Sequence, residues 1–151
     1  GVDEARPVFA HVAPLAFKSL AAWGIILGLA IANGALREAA LIPLLGKPAG
    51  LLLSGMLLSL LVLLVAYALA RAAGGLTVRQ GLLIGVAWLA LTLTFEFGFG
   101  RCAQHKPWSE LLAAYAFEDG NLWPVVLLVT LLAPSLAARV QAMTMRAGYD
   151  A

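Results

Sequence analysis

The chain has very little charge. Of its 151 residues, 12% are charged and 62% are hydrophobic, and the mean hydropathy is +0.93. A soluble domain carries about 25% charged residues, so this composition excludes a water-soluble globular protein. The net charge is +2, and the basic residues are scattered instead of forming a stripe. The sequence therefore indicates that the protein does not bind nucleic acid.

Cysteine and histidine are also scarce. The single cysteine, Cys102, excludes an internal disulfide. His105 follows it after two residues, but no third ligand stands at a usual spacing, so neither a metal nor any other cofactor is expected. The sequence shows no catalytic set either, because Ser-His-Asp, HExxH and glycine-rich phosphate-binding patterns are all missing. An enzyme is therefore the least favoured class of function.

Four long apolar runs take up most of the chain. A membrane-spanning helix needs about 20 mostly apolar residues, and the runs at about 19–36, 49–70, 81–100 and 122–138 meet that requirement. They are continuous, whereas the strands of a membrane barrel alternate in polarity. Residues 1–151 are therefore expected to form one transmembrane domain of the all-α class. Short connections favour antiparallel neighbours, which predicts an up-down four-helix bundle.

The connection between the third and fourth runs is longer than the others. After Pro107, the apolar residues Trp108, Leu111, Leu112 and Tyr115 recur at helical spacing. This pattern predicts one short amphipathic helix lying in the membrane interface. An ordered loop is the alternative.

The distribution of lysine and arginine predicts the orientation, because basic residues are enriched on the cytoplasmic side. Six basic residues fall on the side that carries both termini, and four fall on the other. The first group is Arg6, Lys18, Arg71, Arg79, Arg139 and Arg146; the second is Arg37, Lys47, Arg101 and Lys106. Both termini are therefore expected in the cytoplasm, and the second group marks the outer face.

Glu96 is the most informative single residue, because an ionised carboxylate inside a membrane is costly and usually has a partner or a task. Thr92 precedes it by four residues, and so shares its helix face. In the first run, Asn33 and Arg37 are also four apart. Both pairs lie towards the outer face. The economical arrangement is a Glu96–Arg37 ion pair, with Asn33 and Thr92 completing its hydrogen bonds.

Two simpler interpretations of these residues stay open. Arg37 and Glu38 could cap the first helix at the headgroups, and Glu96 could pair locally with Arg101. The predicted site is therefore a polar cluster that is either ligand-binding or structural. Its members are Glu96, Arg37, Asn33, Thr92 and Arg101.

Two glycine pairs have the spacing that allows helices to approach closely. They are Gly24-x-x-x-Gly28 in the first run and Gly81-x-x-x-Gly85 in the third. Packing between helices is the predicted role of this spacing.

Several stretches together resemble a known group. They are Thr92-Leu93-Thr94-Phe95-Glu96-Phe97-Gly98-Phe99-Gly100-Arg101, then Trp108 with Leu111-Leu112 and Tyr115, then Gly120-Asn121-Leu122-Trp123, and Asn33-Gly34-Ala35-Leu36-Arg37-Glu38 in the first run. The chain is similar in these residues to a group of small uncharacterised bacterial four-span membrane proteins. The resemblance implies a multi-pass protein of the bacterial cytoplasmic (inner) membrane, and it carries no activity.

Two classes of function follow. In the first, the polar cluster near the outer face binds a small molecule or a lipid headgroup. In the second, the protein is an accessory or structural subunit, and its glycine faces and the interfacial helix dock a larger membrane complex. The expected partners are accordingly membrane lipid and a protein complex or homo-oligomer.

Overall fold

The computed structural model describes residues 2–103, 105, 107–109 and 122–150. Within these ranges the chain is built from helices, and four of them are long and apolar enough to cross a membrane. The predicted all-α transmembrane four-helix bundle is thereby confirmed. The predicted interfacial helix falls mostly outside the described residues. The helices are α1 (Val2–Leu36), α2 (Ile42–Leu45), α3 (Lys47–Ala72), α4 (Val78–Gly98) and α5 (Trp123–Asp150), with π-helical turns at Arg37–Leu41 and Phe99–Ala103.

The first apolar helix is longer than the sequence pattern predicts. Its candidate span covers Ala13–Leu45, because α1 continues through the first π-helical turn into α2. The only break before α3 is Gly46, whose φ of 88° suits glycine best. Pro43 and Pro48 lie in the first turns of α2 and α3, where proline is tolerated. The predicted loop is therefore a turn of one residue.

The connection between α3 and α4 is equally tight. Gly74 and Gly75 both have positive φ, at 75° and 117°. Thr77 and Gln80 then form a capping box, in which each side chain accepts a hydrogen bond from the other residue's backbone N–H, at 3.1 and 3.0 Å. Lys18 of α1 donates to the Ala72 carbonyl at 2.9 Å. This bond places the start of the first span beside the end of the second.

The spatial order of the helices differs from their order in the chain. α5 packs along both α3 and α4, while α1 packs on α3 and approaches α4 at few points. In an 18-residue window of the α5 span 44% of the residues are buried, against 11% in such a window of the first span. The expectation that consecutive helices are neighbours is therefore wrong for α3 and α4, because the last helix inserts between them.

The contact between α4 and α5 is a backbone-to-backbone contact. A Cβ atom added at Gly81 would lie 2.7 Å from the Cα atom of Ser135, and one added at Gly85 would overlap the carbonyl oxygen of Leu131. The predicted packing role is confirmed for this pair. The other pair, Gly24 and Gly28, has no atom within 4 Å of an added Cβ, so it takes no part in packing among the described residues.

Candidate functional site: a cavity beside Glu96

One face of α4 makes polar contacts with two neighbouring helices. Trp88, Thr92 and Glu96 follow one another at intervals of four, and each is hydrogen-bonded to a different residue on another helix. In a membrane interior, a polar group with no partner in the protein has no water to bind instead. These three positions therefore determine where the neighbouring helices sit.

Indole groups bridge the separation between α1 and α4. Trp23 of α1 donates its Nε1–H to Thr92 Oγ1 at 3.1 Å. Trp88 of α4 donates its Nε1–H to the Ser19 carbonyl at 3.0 Å. An indole is a long side chain, so it can form a hydrogen bond between two helices whose backbones are not in close contact. The two bonds hold α1 and α4 together across a gap that their backbones do not close.

Glu96 is tied to the last helix. Its Oε2 atom accepts a hydrogen bond from Nε1 of Trp123, the first residue of α5, at 2.9 Å. The side chain is half-buried. The indole N–H occupies one of the about four acceptor positions that the two carboxylate oxygens provide.

All four spans contribute to a cavity of about 170 Å³ next to these contacts. Its walls are almost entirely apolar side chains, with Thr92, Thr130 and Glu96 as the polar exceptions. Trp23 and Trp123 also line it. Ile31 and Phe95 belong to the lining and are 61% and 37% exposed, so the cavity opens between α1 and α4. It exists because α1 stands away from α4.

The structure does not form the expected ion pair between Arg37 and Glu96, although both residues are described. Arg37 Nε instead pairs with Oε1 of the adjacent Glu38 at 3.2 Å. The physical reason lies in α1, which packs against α3, and in the π-helical turn that begins at Arg37. α1 meets α4 at few points, and one Arg37 Nη atom lies along its own helix, 3.6 Å from a Cβ atom added at Gly34. The simpler interpretation, in which Arg37 and Glu38 stay together at the helix end, matches the observed contact.

Asn33 forms a hydrogen bond with a residue of α3 and not with Glu96. It is 5% exposed and accepts a hydrogen bond at Oδ1 from Ser54, which is 2% exposed. Its Nδ2 atom has no hydrogen-bond partner in the described part of the chain. Asn33 and Ser54 therefore join α1 to α3, as a separate polar contact.

Arg101 lies outside the cavity, on the turn after α4. Its guanidinium stacks over the Trp108 ring, 5.5 Å from the centroid, and Phe97 packs against the same ring at 5.9 Å. A cation over an indole face is attracted by the ring quadrupole. Of the five residues in the predicted cluster, the structure thus brings only Thr92 and Glu96 to one site.

Sequence reasoning missed the tryptophans of this site. The available signal was a count of donors and acceptors: an indole N–H in a membrane helix must find an acceptor, and acceptors in these helices are few. Pairing Trp23 with Thr92 still required knowing that α1 and α4 face each other.

Glu96 is the single ionisable side chain among the described residues that line the cavity. In the described residues, no group of three His, Cys, Asp or Glu side chains is placed to hold a metal ion. Fold and site together define a multi-pass membrane four-helix bundle with a side-opening apolar cavity. Comparison with known protein families, curated proteins and solved structures returned no match for this chain.

Proposed function

We propose that this protein is a non-enzymatic membrane protein that binds a small amphiphile in the cavity beside Glu96. The ligand has a ring-sized apolar body and a cationic group. The observation that carries the proposal is a carboxylate on the wall of an otherwise apolar cavity that opens sideways between two helices. The cavity differs from the predicted cluster, which contained Arg37 and would have suited an anion as well.

The size of the cavity limits the apolar body of the ligand. Apolar cavities of about 150 Å³ accept benzene, and this one is about 170 Å³. A whole phospholipid is too large, whereas a single ring or short branched chain fits. The opening between α1 and α4 allows a substituent to extend outside, and it gives a membrane-dissolved ligand direct entry.

The chemistry of the walls selects the charge of the ligand. Glu96 brings a carboxyl group to a cavity whose other described walls are mostly apolar, and attraction between opposite charges is stronger in apolar surroundings than in water. Trp23 and Trp123 also line the cavity, and an indole face attracts a cation by about 0.5–2 kcal/mol depending on desolvation. A neutral ligand of the same shape would gain packing contacts only. Preference for a cation over its neutral isostere is therefore the property to measure.

The test uses phenyltrimethylammonium and its neutral isostere tert-butylbenzene as probes. Each is added to the protein in an uncharged detergent, and the unfolding temperature is recorded. A ligand present at ten times its Kd stabilises a protein by about 1.4 kcal/mol. The variant is Glu96→Gln, whose amide oxygen can still accept the Trp123 indole. The matched control is Glu38→Gln, which removes a carboxylate that pairs with Arg37.

The expected result is a rise in unfolding temperature with the cation for the native protein and Glu38→Gln, and little rise for Glu96→Gln. The neutral probe should affect all three proteins equally. Two results would contradict the proposal. One is equal stabilisation of Glu96→Gln and native protein by the cation; the other is no stabilisation of the native protein by either probe.

A second candidate function is that of an accessory or structural subunit, in a larger complex or in a homo-oligomer. The specific observation in its favour is that Gly24 and Gly28 are exposed and have no atom within 4 Å of an added Cβ. Cysteine substitution at Gly28 followed by oxidation tests the homo-oligomer directly. A disulfide-linked dimer in native membranes would support it, and monomer alone would count against self-association through this face.

The location belongs to the proposal as well. We place the protein in a bacterial inner membrane with both termini in the cytoplasm, as the resemblance and the lysine and arginine distribution imply. Cys102 is free and exposed just after α4. A membrane-impermeant maleimide should therefore label it in intact spheroplasts. Labelling that requires lysis of the cells would reverse the orientation.

A further inference from the structure

A second opening lies on the outside of the bundle, between α1 and α3, and it has the shape of a lipid chain. It is a groove of about 460 Å³. Its floor includes Ala22 and Leu69, which are 7% and 4% exposed, and its rims include Phe17 and Ile25, which are 74% and 58% exposed. Small residues on both helices leave it unfilled. These are Ala21, Ala22, Ala68 and Ala72.

The length of the groove is close to the thickness of one leaflet of the bilayer. On α1 it runs from about Phe17 to Leu29, which is about 18 Å at the helical rise of 1.5 Å per residue. The hydrocarbon core of a bilayer is about 30 Å thick, so one leaflet contributes about half of that. The groove therefore extends from the end of the bundle to slightly past the bilayer centre.

A polar hollow adjoins the groove at the end of the bundle. It has a volume of about 310 Å³ and is lined by residues of α1, the α3–α4 turn and α4, including Gly75 and Gln80. Lys18 lines both the hollow and the groove. Its ammonium donates one hydrogen bond, to the Ala72 carbonyl, and an ammonium has three N–H groups. The Lys18 ammonium therefore lies where the polar hollow meets the apolar groove.

The membrane spans carry charge of one sign at this end, whereas the acidic Asp3, Glu4 and Asp150 stand nearer the two chain ends. Between residues 13 and 144, the charged residues at the Lys18 end of the spans are all basic: Lys18, Arg71, Arg79 and Arg139. Their side chains are exposed. Basic residues at a membrane surface attract anionic lipid headgroups.

We infer that the α1–α3 groove binds one acyl chain of an anionic phospholipid, whose phosphate headgroup sits in the hollow at Lys18. The occupant is a lipid and not a soluble phosphate, because the apolar groove continues directly from the hollow. It is not a partner helix, because a helix is about 10 Å wide and would not enter a channel floored by the contact of α1 with α3. This site lies at the opposite end of α1 from Asn33 and Arg37, and it is independent of the cavity beside Glu96.

The test compares phosphatidylglycerol with phosphatidylcholine carrying the same acyl chains. Each lipid is titrated into delipidated protein in an uncharged detergent, and binding is read by native mass spectrometry. Lys18→Gln removes the charge but keeps a donor for Ala72. Lys47→Gln is the matched control at the other end of the bundle. Ala68→Phe fills the groove without changing any charge, and glycerol 3-phosphate serves as a soluble headgroup.

The native protein and Lys47→Gln should bind phosphatidylglycerol at least about fivefold more tightly than phosphatidylcholine, the factor expected from one cation near the surface. Lys18→Gln should lose that preference, and Ala68→Phe should bind both lipids more weakly. Four results would overturn the inference: no headgroup preference in the native protein, full preference in Lys18→Gln, normal lipid binding by Ala68→Phe, or competition by glycerol 3-phosphate at the lipid's own concentration.

Discussion

The two sides of α4 are built in opposite ways. Towards α5, Gly81 and Gly85 bring the two backbones into contact. Towards α1, indole side chains span the separation by hydrogen bonds, from Trp23 to Thr92 and from Trp88 to Ser19. The first side leaves no room for a methyl group, and the second leaves room for a cavity of about 170 Å³. In a membrane, where helices associate through packing and not through the exclusion of water, such a contrast separates a rigid contact from an adaptable one.

The glycine contact should be the most sensitive point of the molecule. A methyl group at Gly85 overlaps the Leu131 carbonyl oxygen, which is backbone and cannot rotate away. Overpacking typically costs about 1–3 kcal/mol, so Gly85→Ala is expected to destabilise by about 3 kcal/mol in unfolding measurements in detergent. Gly28→Ala is the matched control at an open position and should change stability by less than about 0.5 kcal/mol, or raise it. Equal stability of the two variants would contradict the close contact of α4 with α5.

Removing the indole hydrogen bonds should cause the next largest losses of stability, and the two losses should differ. Trp123→Phe removes a donor from the Glu96 carboxylate, and a lost bond to a charged group costs about 1.5–3 kcal/mol. Trp23→Phe should cost only about 1 kcal/mol, since Thr92 can turn to a carbonyl of its own helix. Unfolding in detergent measures both. A larger loss for Trp23→Phe than for Trp123→Phe would show that the charged bond is not the stronger one.

Filling the cavity should remove binding without removing stability. Ala30 lines the cavity, and Ala30→Leu adds atoms that gain dispersion contacts with its walls. We expect stability unchanged or raised by up to about 1 kcal/mol, together with loss of phenyltrimethylammonium binding. Ala32→Leu, on the exposed side of α1, is the control and should bind normally. Undiminished binding by Ala30→Leu would mean that the probe sits elsewhere.

Arg37 should give the smallest effect. It pairs with its neighbour Glu38, whose side chain is 67% exposed, and exposed pairs contribute about 0–1 kcal/mol. Arg37→Ala should therefore cost less than about 1 kcal/mol. Had Arg37 been the buried partner of Glu96, its loss would cost about 3–5 kcal/mol. A loss in that upper range would restore the pairing that the sequence spacing suggested.

Residue patterns along the chain were sufficient to predict the membrane spans, but they were not sufficient to predict the contacts between them. Long apolar runs require helices in a membrane, whatever their neighbours. The two glycine pairs, in contrast, are identical in spacing, and only one of them meets another helix. Which pair packs depends on the insertion of α5 between α3 and α4, a property of the whole fold.

The partner of Glu96 was unpredictable for the same reason. Spacing along α4 correctly put Thr92 and Glu96 on one face, but the choice of partner depended on which helices stand opposite. The π-helical turn at Arg37–Leu41 also interrupts the regular α-helical spacing at this end of the first span. No sequence pattern around Arg37 predicts that turn.

The most direct test of the cavity is a nitrogen–proton spectrum of the tryptophan indoles, recorded while phenyltrimethylammonium is added. Single Trp→Phe variants assign the four signals. Trp23 and Trp123 line the cavity, whereas Trp88 and Trp108 do not. The signals of Trp23 and Trp123 should shift with a common saturation curve, and the other two should stay in place. Shifts at all four indoles, or at none, would contradict this prediction.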